Sequence, residues 1–221
     1  GSKEFINRCK YITNSISDLI TRFPTIPILT ISSGAVSQIE THKINNISLN
    51  PYATLKRVEE ELWASQSSVR SSWVFRVYAV TGRFMPKPQR FALGDFLLKA
   101  LSNRQIVVHS RHQVIRSYVH LGTLMELCWK LLSTDRKIGY NMINACTNQL
   151  NLIELATLIS NMWNLPNPDF YLDKSLKPDQ YIASSEDFDF ALDLLAAFLA
   201  FSMVATRFDS HSRIASSFLR E

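Results

Sequence analysis

Glycine is scarce in this sequence and never grouped: Gly1, Gly34, Gly82, Gly94, Gly122 and Gly139 stand far apart. A glycine-rich phosphate turn needs closely spaced glycines so that backbone N–H groups can approach the ligand. No segment here offers one. Cysteine is scarcer still. Cys9, Cys128 and Cys146 are widely separated and odd in number, and no CxxC pair exists. A disulfide framework and a zinc site are therefore not indicated, and a reducing, cytoplasmic setting fits best. Long apolar runs are missing as well. The longest, Leu194 to Ala205, is about half the ~20 residues a membrane span requires, so a buried helix is expected there. No signal peptide precedes the first helix, and the leading Gly1-Ser2 reads as a cloning scar.

Charge is modest and unconcentrated. Lys and Arg number 24 against 19 Asp and Glu, for a net charge of +5, and the basic residues are scattered. A nucleic-acid binder would show a dense basic stripe with interleaved aromatics. The expected partners are anionic small molecules, with no nucleic acid and no membrane. No metal is expected either. His109 and His112 flank a turn and, like His120, lack an acidic neighbour at ligand spacing.

What is present is a chain of 221 residues that is 46% apolar, enough for one or two domains with a sizeable core. Helix-length and strand-length apolar segments alternate, which makes α/β the expected fold class. Apolar residues recur at helical spacing from Glu4 to Phe23, and Pro24 and Pro27 end that helix. A short strand, Ile28 to Ile31, runs into the turn Ser32-Ser33-Gly34, and a polar loop follows through Asn50. Asn50-Pro51 supplies an N-cap and a first-turn proline for a helix to Ala64. On that helix Glu59, Glu60 and Glu61 are expected on the wet side. Trp73 to Val80 reads as one buried strand closed by Gly82. A Pro-rich basic loop, Met85 to Arg90, comes next. Its cluster of Arg83, Lys87 and Arg90 is either a phosphate-attracting site or an ordinary exposed loop. Helices are expected at Leu93–Leu101, Gly122–Leu132, Asn151–Trp163 and Ser185–Thr206, and strands at Gln105–His109 and Tyr140–Ile143. On the last helix Asp187, Asp189 and Asp193 read as a solvated face. Phe188, Phe190, Phe198 and Phe201 read as core.

The pair that carries chemistry is Tyr52 and Lys56. Four apart on a helix, they share one face, and an ammonium beside a phenol favours the phenolate. A Tyr so tuned can act as general base toward a substrate hydroxyl. Taken alone the spacing is weak, since Tyr and Lys four apart are usually a surface pair. The context strengthens it. A strand ends at Ser32-Ser33-Gly34-Ala35-Val36, and a serine at a strand's carboxyl end is where α/β ligand sites form.

This order of strand, serine turn, loop and YxxxK helix resembles the extended branch of the short-chain dehydrogenase/reductase superfamily, with its nucleotide-sugar epimerases and dehydratases. Ser32-Ser33-Gly34-Ala35-Val36 is similar to the family's SSxxV, and Pro51-Tyr52-Ala53-Thr54-Leu55-Lys56 to its PYxxSK. Arg76-Val77-Tyr78-Ala79-Val80-Thr81-Gly82 resembles RxFNVYG. Gln113-Val114-Ile115-Arg116-Ser117-Tyr118-Val119-His120 resembles QxRDFVHV. Tyr140 to Ala145 and Leu152 to Ala156 resemble YNVGxG and SLxELA. The departures are Ser37-Gln38 for the family's YG, Leu55 for a serine, Ala79 for an asparagine and Arg83 for a proline. Lys177-Pro178-Asp179-Gln180 matches only part of RPGD, so a second phosphate-binding arginine is missing there.

The resemblance implies a partial Rossmann-like parallel sheet, its first half missing along with the glycine-rich turn, and a smaller interleaved α/β substrate lobe. Residues 3–82 and 118–145 would form the first part, and residues 83–117 and 146–221 the lobe. It implies Ser33, Tyr52 and Lys56 as the catalytic trio, with Ser32 as the alternative serine. Tyr52 and Lys56 would also meet NAD or NADP, and Arg116 the diphosphate of a nucleotide-sugar substrate. A homodimer through helices 4–23 and 51–64 is implied too. The function implied is epimerisation or dehydration of a nucleotide-activated sugar. The alternatives are a non-catalytic dehydrogenase-like binding module and a reductase of another small carbonyl compound.

Overall fold

A computed structural model describes residues 2–41, 50–134 and 138–193. Within them, three strands form a parallel sheet in the order β1 (Ile28–Ser33), β2 (Ser71–Val77) and β6 (Gly139–Ala145). The central strand β2 is buried along nearly its whole length, as a parallel strand covered on both faces must be. Its side chains alternate between two cores. Val74 packs with Ile28 and Trp63 on the side of α1 (Ser2–Thr21) and α3 (Pro51–Ser65). Phe75 and Val77 pack on the other side with Leu124, Leu127 and Cys128 of α5 (Leu121–Thr134), and with Phe188 of a helix, α7, at residues 186–193.

A second sheet lies beyond the carboxyl end of β2. Here β5 (Val114–His120) pairs with β3 (Ala79–Thr81), β7 (Asn148–Asn151) and β9 (Asp179–Tyr181). Its core is separate: Phe96 and Ala100 of α4 (Ala92–Leu101) pack on Leu155, Ala156 and Ile159 of α6 (Leu152–Met162). Val108 of β4 (Val107–Val108) joins them, and β4 pairs with β8 (Asp169–Phe170). The α/β class and the parallel, Rossmann-like sheet expected from sequence are present.

Several boundaries differ from expectation for identifiable reasons. The segment Trp73–Val80 is two strands in two sheets, broken at Tyr78. Gly34 permits the break, because any side chain there would collide with the Tyr78 ring. Ala35–Thr41 is a helix, α2, rather than loop. Val36 and Ile39, three apart, bury one face of it. The rest of that expected loop, 42–49, lies outside the described residues. The Asn50 cap is as expected, its side chain accepting from the Ala53 N–H at 3.1 Å. Asn151 forms a capping box with Glu154. Phe188 is core, but Phe190 is 70% exposed, because two positions on a helix differ by more than half a turn. Phe198 and Phe201 lie outside the described residues, as does the expected apolar helix from Leu194 to Ala205.

Candidate active site

The two serines at the end of β1 go separate ways. Ser32 donates to Glu60 Oε1 at 2.5 Å in the interior. Glu60 also accepts from Arg76 at Nε (3.0 Å) and Nη2 (2.6 Å). The same guanidinium grips Glu40 of α2 with Nη1 and Nη2 at 2.7 and 2.8 Å. Glu60 is therefore not on the wet side of α3: it is 4% exposed. Tyr52, Lys56 and Glu60 are successive fours along one helix face, but that spacing does not say which of them is buried. Burial alone would depress the Arg76 guanidinium. Hydrogen bonds from it to Glu60 and Glu40 outweigh that effect and push its pKa upward. Arg76 also donates to Ser37 Oγ, which the Tyr78 hydroxyl meets at 3.1 Å.

Ser33 faces the second sheet. Its hydroxyl accepts from the Ala35 N–H and lies 3.1 Å from the phenol oxygen of Tyr181 on β9. The Tyr181 ring lies tilted against Tyr78, with centroids 4.8 Å apart. Burial pushes the Tyr181 pKa up, against the opposing effect of the Ser33 bond, so the phenol stays protonated at neutral pH. The Tyr52 phenol is close enough to act on Tyr181 electrostatically. Of the expected trio, Ser33 is the residue hydrogen-bonded to Tyr181. Lys56, one turn further along α3, donates to Glu59 Oε2 at 2.8 Å and to the Ile31 carbonyl at 3.2 Å.

Arg116 stands apart from the trio, on β5, with Tyr181 as its register partner. Its Nη2 pairs with Asp179 Oδ2 at 2.6 Å, and Nη1 donates to the carbonyls of Ile115 and Asp179. Arg116, Tyr78 and Tyr181 line one cavity of about 610 Å³ between the second sheet and the start of α4. Phe91, Leu93, Val114 and Leu152 give it apolar walls, and Arg90 adds a guanidinium. Sequence reasoning missed Tyr181 and Asp179 as site residues. Neither has a local partner: Tyr181 reaches Ser33 across 148 positions.

The nicotinamide cofactor of the resembled family must have its pyrophosphate cradled by backbone. The space a side chain would take at Gly34 is filled by the Tyr78 ring, and at Gly94 by Pro88. Gly82 abuts Leu121, and Gly122 abuts His120. Gly139 has open space but begins β6, at the opposite end of the sheet from Ser33. The glycines present do not fit a pyrophosphate. No group of three or more metal-ligating side chains occurs among the described residues. No helix among them is long and apolar enough to cross a membrane.

No family model and no curated protein matches the chain by sequence. Solved structures match by fold. The dTDP-glucose 4,6-dehydratase of Bacillus anthracis, in complex with NAD, superposes with a TM-score of 0.59 at 15% identity, over 80% of this chain and 60% of that one. A UDP-glucuronic acid 4-epimerase variant from Bacillus cereus, bound to NAD and a fluorinated substrate analogue, gives 0.59 at 14% identity, over 79% and 57%. The UDP-glucose 4-epimerase of Thermotoga maritima, with UDP-glucose, gives 0.56 at 14%, over 79% and 60%. The chain spans 60% or less of the length of these structures. Over most of its own length, this chain has the fold of the NAD-dependent nucleotide-sugar epimerases and dehydratases of the short-chain dehydrogenase/reductase superfamily.

Proposed function

We propose that this chain carries the acid–base and substrate-binding portion of a nucleotide-sugar epimerase or dehydratase. The observation that supports this best is the hydrogen bond of Ser33, at the carboxyl end of β1, to the Tyr181 phenol, which lines the same cavity as Arg116. A substrate hydroxyl replacing the Tyr181 phenol would meet the Ser33 hydroxyl as hydrogen-bond partner, with Tyr52 beside it to take the proton. Lys56, released from Glu59, would supply positive charge to that phenol. Arg116 would take a substrate phosphate, for which its planar fork is suited. The cofactor, NAD or NADP, supplies hydride exchange when the whole protein holds it. The residues of this chain provide the proton chemistry only.

The division into residues 3–82 with 118–145 and residues 83–117 with 146–221 belongs to this proposal, although Phe188 inserts from the later segment into the first sheet's core. So does a homodimer through helices 4–23 and 51–64. In its support, Phe5, Ile12, Ile16 and Leu19 form an exposed apolar stripe on α1. The test of function is Tyr52→Phe in the whole protein, assayed with UDP-glucose, dTDP-glucose and NAD. Folding should be unchanged and turnover should fall by about 10²–10⁴-fold. Near-normal kcat would overturn the assignment.

A second reading, a non-catalytic module that kept the fold, draws on the same geometry. Ser33 is capped by Tyr181, Lys56 is held by Glu59, and the spaces at Gly34 and Gly94 are filled. Binding of nucleotide sugar without turnover by the whole protein would favour it.

A further inference from the structure

Strand β9 is three residues long, yet it touches both sheets. It pairs with β5 in the second sheet, while its residues reach across to the first. The Gln180 carbonyl accepts from Gln38 Nε2 of α2 at 3.4 Å. The Tyr181 phenol lies 3.1 Å from Ser33 Oγ at the end of β1, and its ring rests against Tyr78, which joins β2 to β3. At the other end of β9, Asp179 engages both terminal nitrogens of Arg116. Its Oδ2 accepts from Nη2 at 2.6 Å, and its carbonyl from Nη1 at 3.1 Å. Asp179 and Tyr181 stand two apart on a strand, so they share a face, with Cα atoms about 7 Å apart. A hexose ring carrying a phosphate on its anomeric carbon spans a similar length. β9 thus offers an anionic oxygen to the guanidinium and a hydroxyl to the serine, the two kinds of group that a sugar phosphate would offer them.

We infer that β9 is a built-in substrate mimic, an autoinhibitory strap in which Asp179 holds the place of a phosphate on Arg116 and Tyr181 that of a sugar hydroxyl on Ser33. This rests on the nucleotide-sugar reading above, and it adds a contact that the ligand must displace. A ligand enters by exchanging its own oxygens for those of β9, so its net gain is the difference between the two sets of contacts. The strap is built to yield. Asp179 and Gln180 are exposed, and an ion pair with an exposed partner holds weakly. The contact of Ser33 with Tyr181 joins two neutral hydroxyls, whose net contribution is modest. The ladder to β5 covers only Asp179 to Tyr181.

The test is calorimetric titration of the full chain with UDP and with UDP-glucose, which differ by the sugar. Tyr181→Phe removes the mimicking hydroxyl and keeps the ring. It should tighten UDP-glucose about three- to tenfold and leave UDP unchanged. Asp179→Asn releases Arg116 and should tighten both ligands about two- to fivefold. Asp173→Asn removes a carboxylate that is held by Ser175 instead of Arg116, and it should change neither. Circular dichroism of each variant checks the fold. A merely structural β9 would give the opposite sign, because loosening it would weaken both ligands. Binding that emerges only in the double variant Asp179→Asn/Tyr181→Phe would support the mimic. Unchanged or weaker UDP-glucose binding in Tyr181→Phe, with wild type binding both ligands, would overturn the mimic and leave the nucleotide-sugar reading standing. Binding of neither ligand by wild type or by the double variant would overturn both.

Discussion

Ser32 and Ser33 are adjacent in β1, yet strand alternation sends their hydroxyls into two regions built differently. Around Ser32 the polar groups satisfy one another. Glu60 accepts from Ser32 and from two Arg76 nitrogens, and Arg76 also holds Glu40. Ser33 has as its side-chain partner a phenol from another sheet, which a ligand can displace, while nearby on α3 Lys56 pairs with Glu59 and Tyr52 is half-exposed. A buried charge left unpaired is costly, so the first region must be closed for the fold to form. The second remains open to exchange because its bonds are between neutral groups or lie near the surface, so that losing one strands no buried charge. Structural and reactive polar groups thus sit one residue apart, separated by the direction of a side chain.

The comparison is broken most severely by removing Arg76. Arg76→Met should cost about 3–5 kcal/mol of stability, because Glu60 would keep its burial and lose its charge partner. Urea unfolding followed by circular dichroism measures this. A loss below 1 kcal/mol would mean that the network around Ser32 is as dispensable as the contacts around Ser33.

A smaller effect is expected from Tyr181→Phe, which deletes the bond to Ser33 but keeps the ring against Tyr78. The same measurement should show a loss of about 0.5–1.5 kcal/mol. An unchanged midpoint would mean that water replaces the phenol at no cost and that the ladder to β5 and the Arg116–Asp179 pair suffice to hold β9.

The smallest effect belongs to Glu59. Its pairing with Lys56 is an i,i+3 contact near the surface, and such pairs contribute about 0.2–0.5 kcal/mol. Glu59→Gln should therefore barely move the unfolding midpoint and should make it insensitive to salt at that site. A loss comparable with that of Arg76→Met would place Glu59 in the structural region, with Thr13 of α1 as its second partner.

Much of this was legible in the chain itself. The helix at Pro51 was announced by Asn50-Pro51, and the end of β1 by Gly34, although Ser32 and Ser33, expected in the turn, are the strand's last residues. The face shared by Tyr52, Lys56 and Glu60 follows from 3.6 residues per turn. That face did not reveal which residue would be buried. Glu60 reads as solvated until Arg76, sixteen positions away, is placed beneath it. Tyr78 looked like one more strand residue, and only the tertiary structure shows its ring lying in the space left free at Gly34, between β2 and β3.

The sequence by itself determined the α/β class, the placement of the longer helices and of the first and central strands, and the spacing that sets Tyr52 one turn from Lys56. These are local properties: apolar periodicity, caps, prolines and turn residues act over a few positions. The tertiary structure alone decided that Tyr181 meets Ser33 and that Asp179 neutralises Arg116. Those pairings depend on the packing of two sheets whose residues are tens to more than a hundred positions apart. No local pattern encodes which distant carboxylate or phenol arrives beside a given side chain.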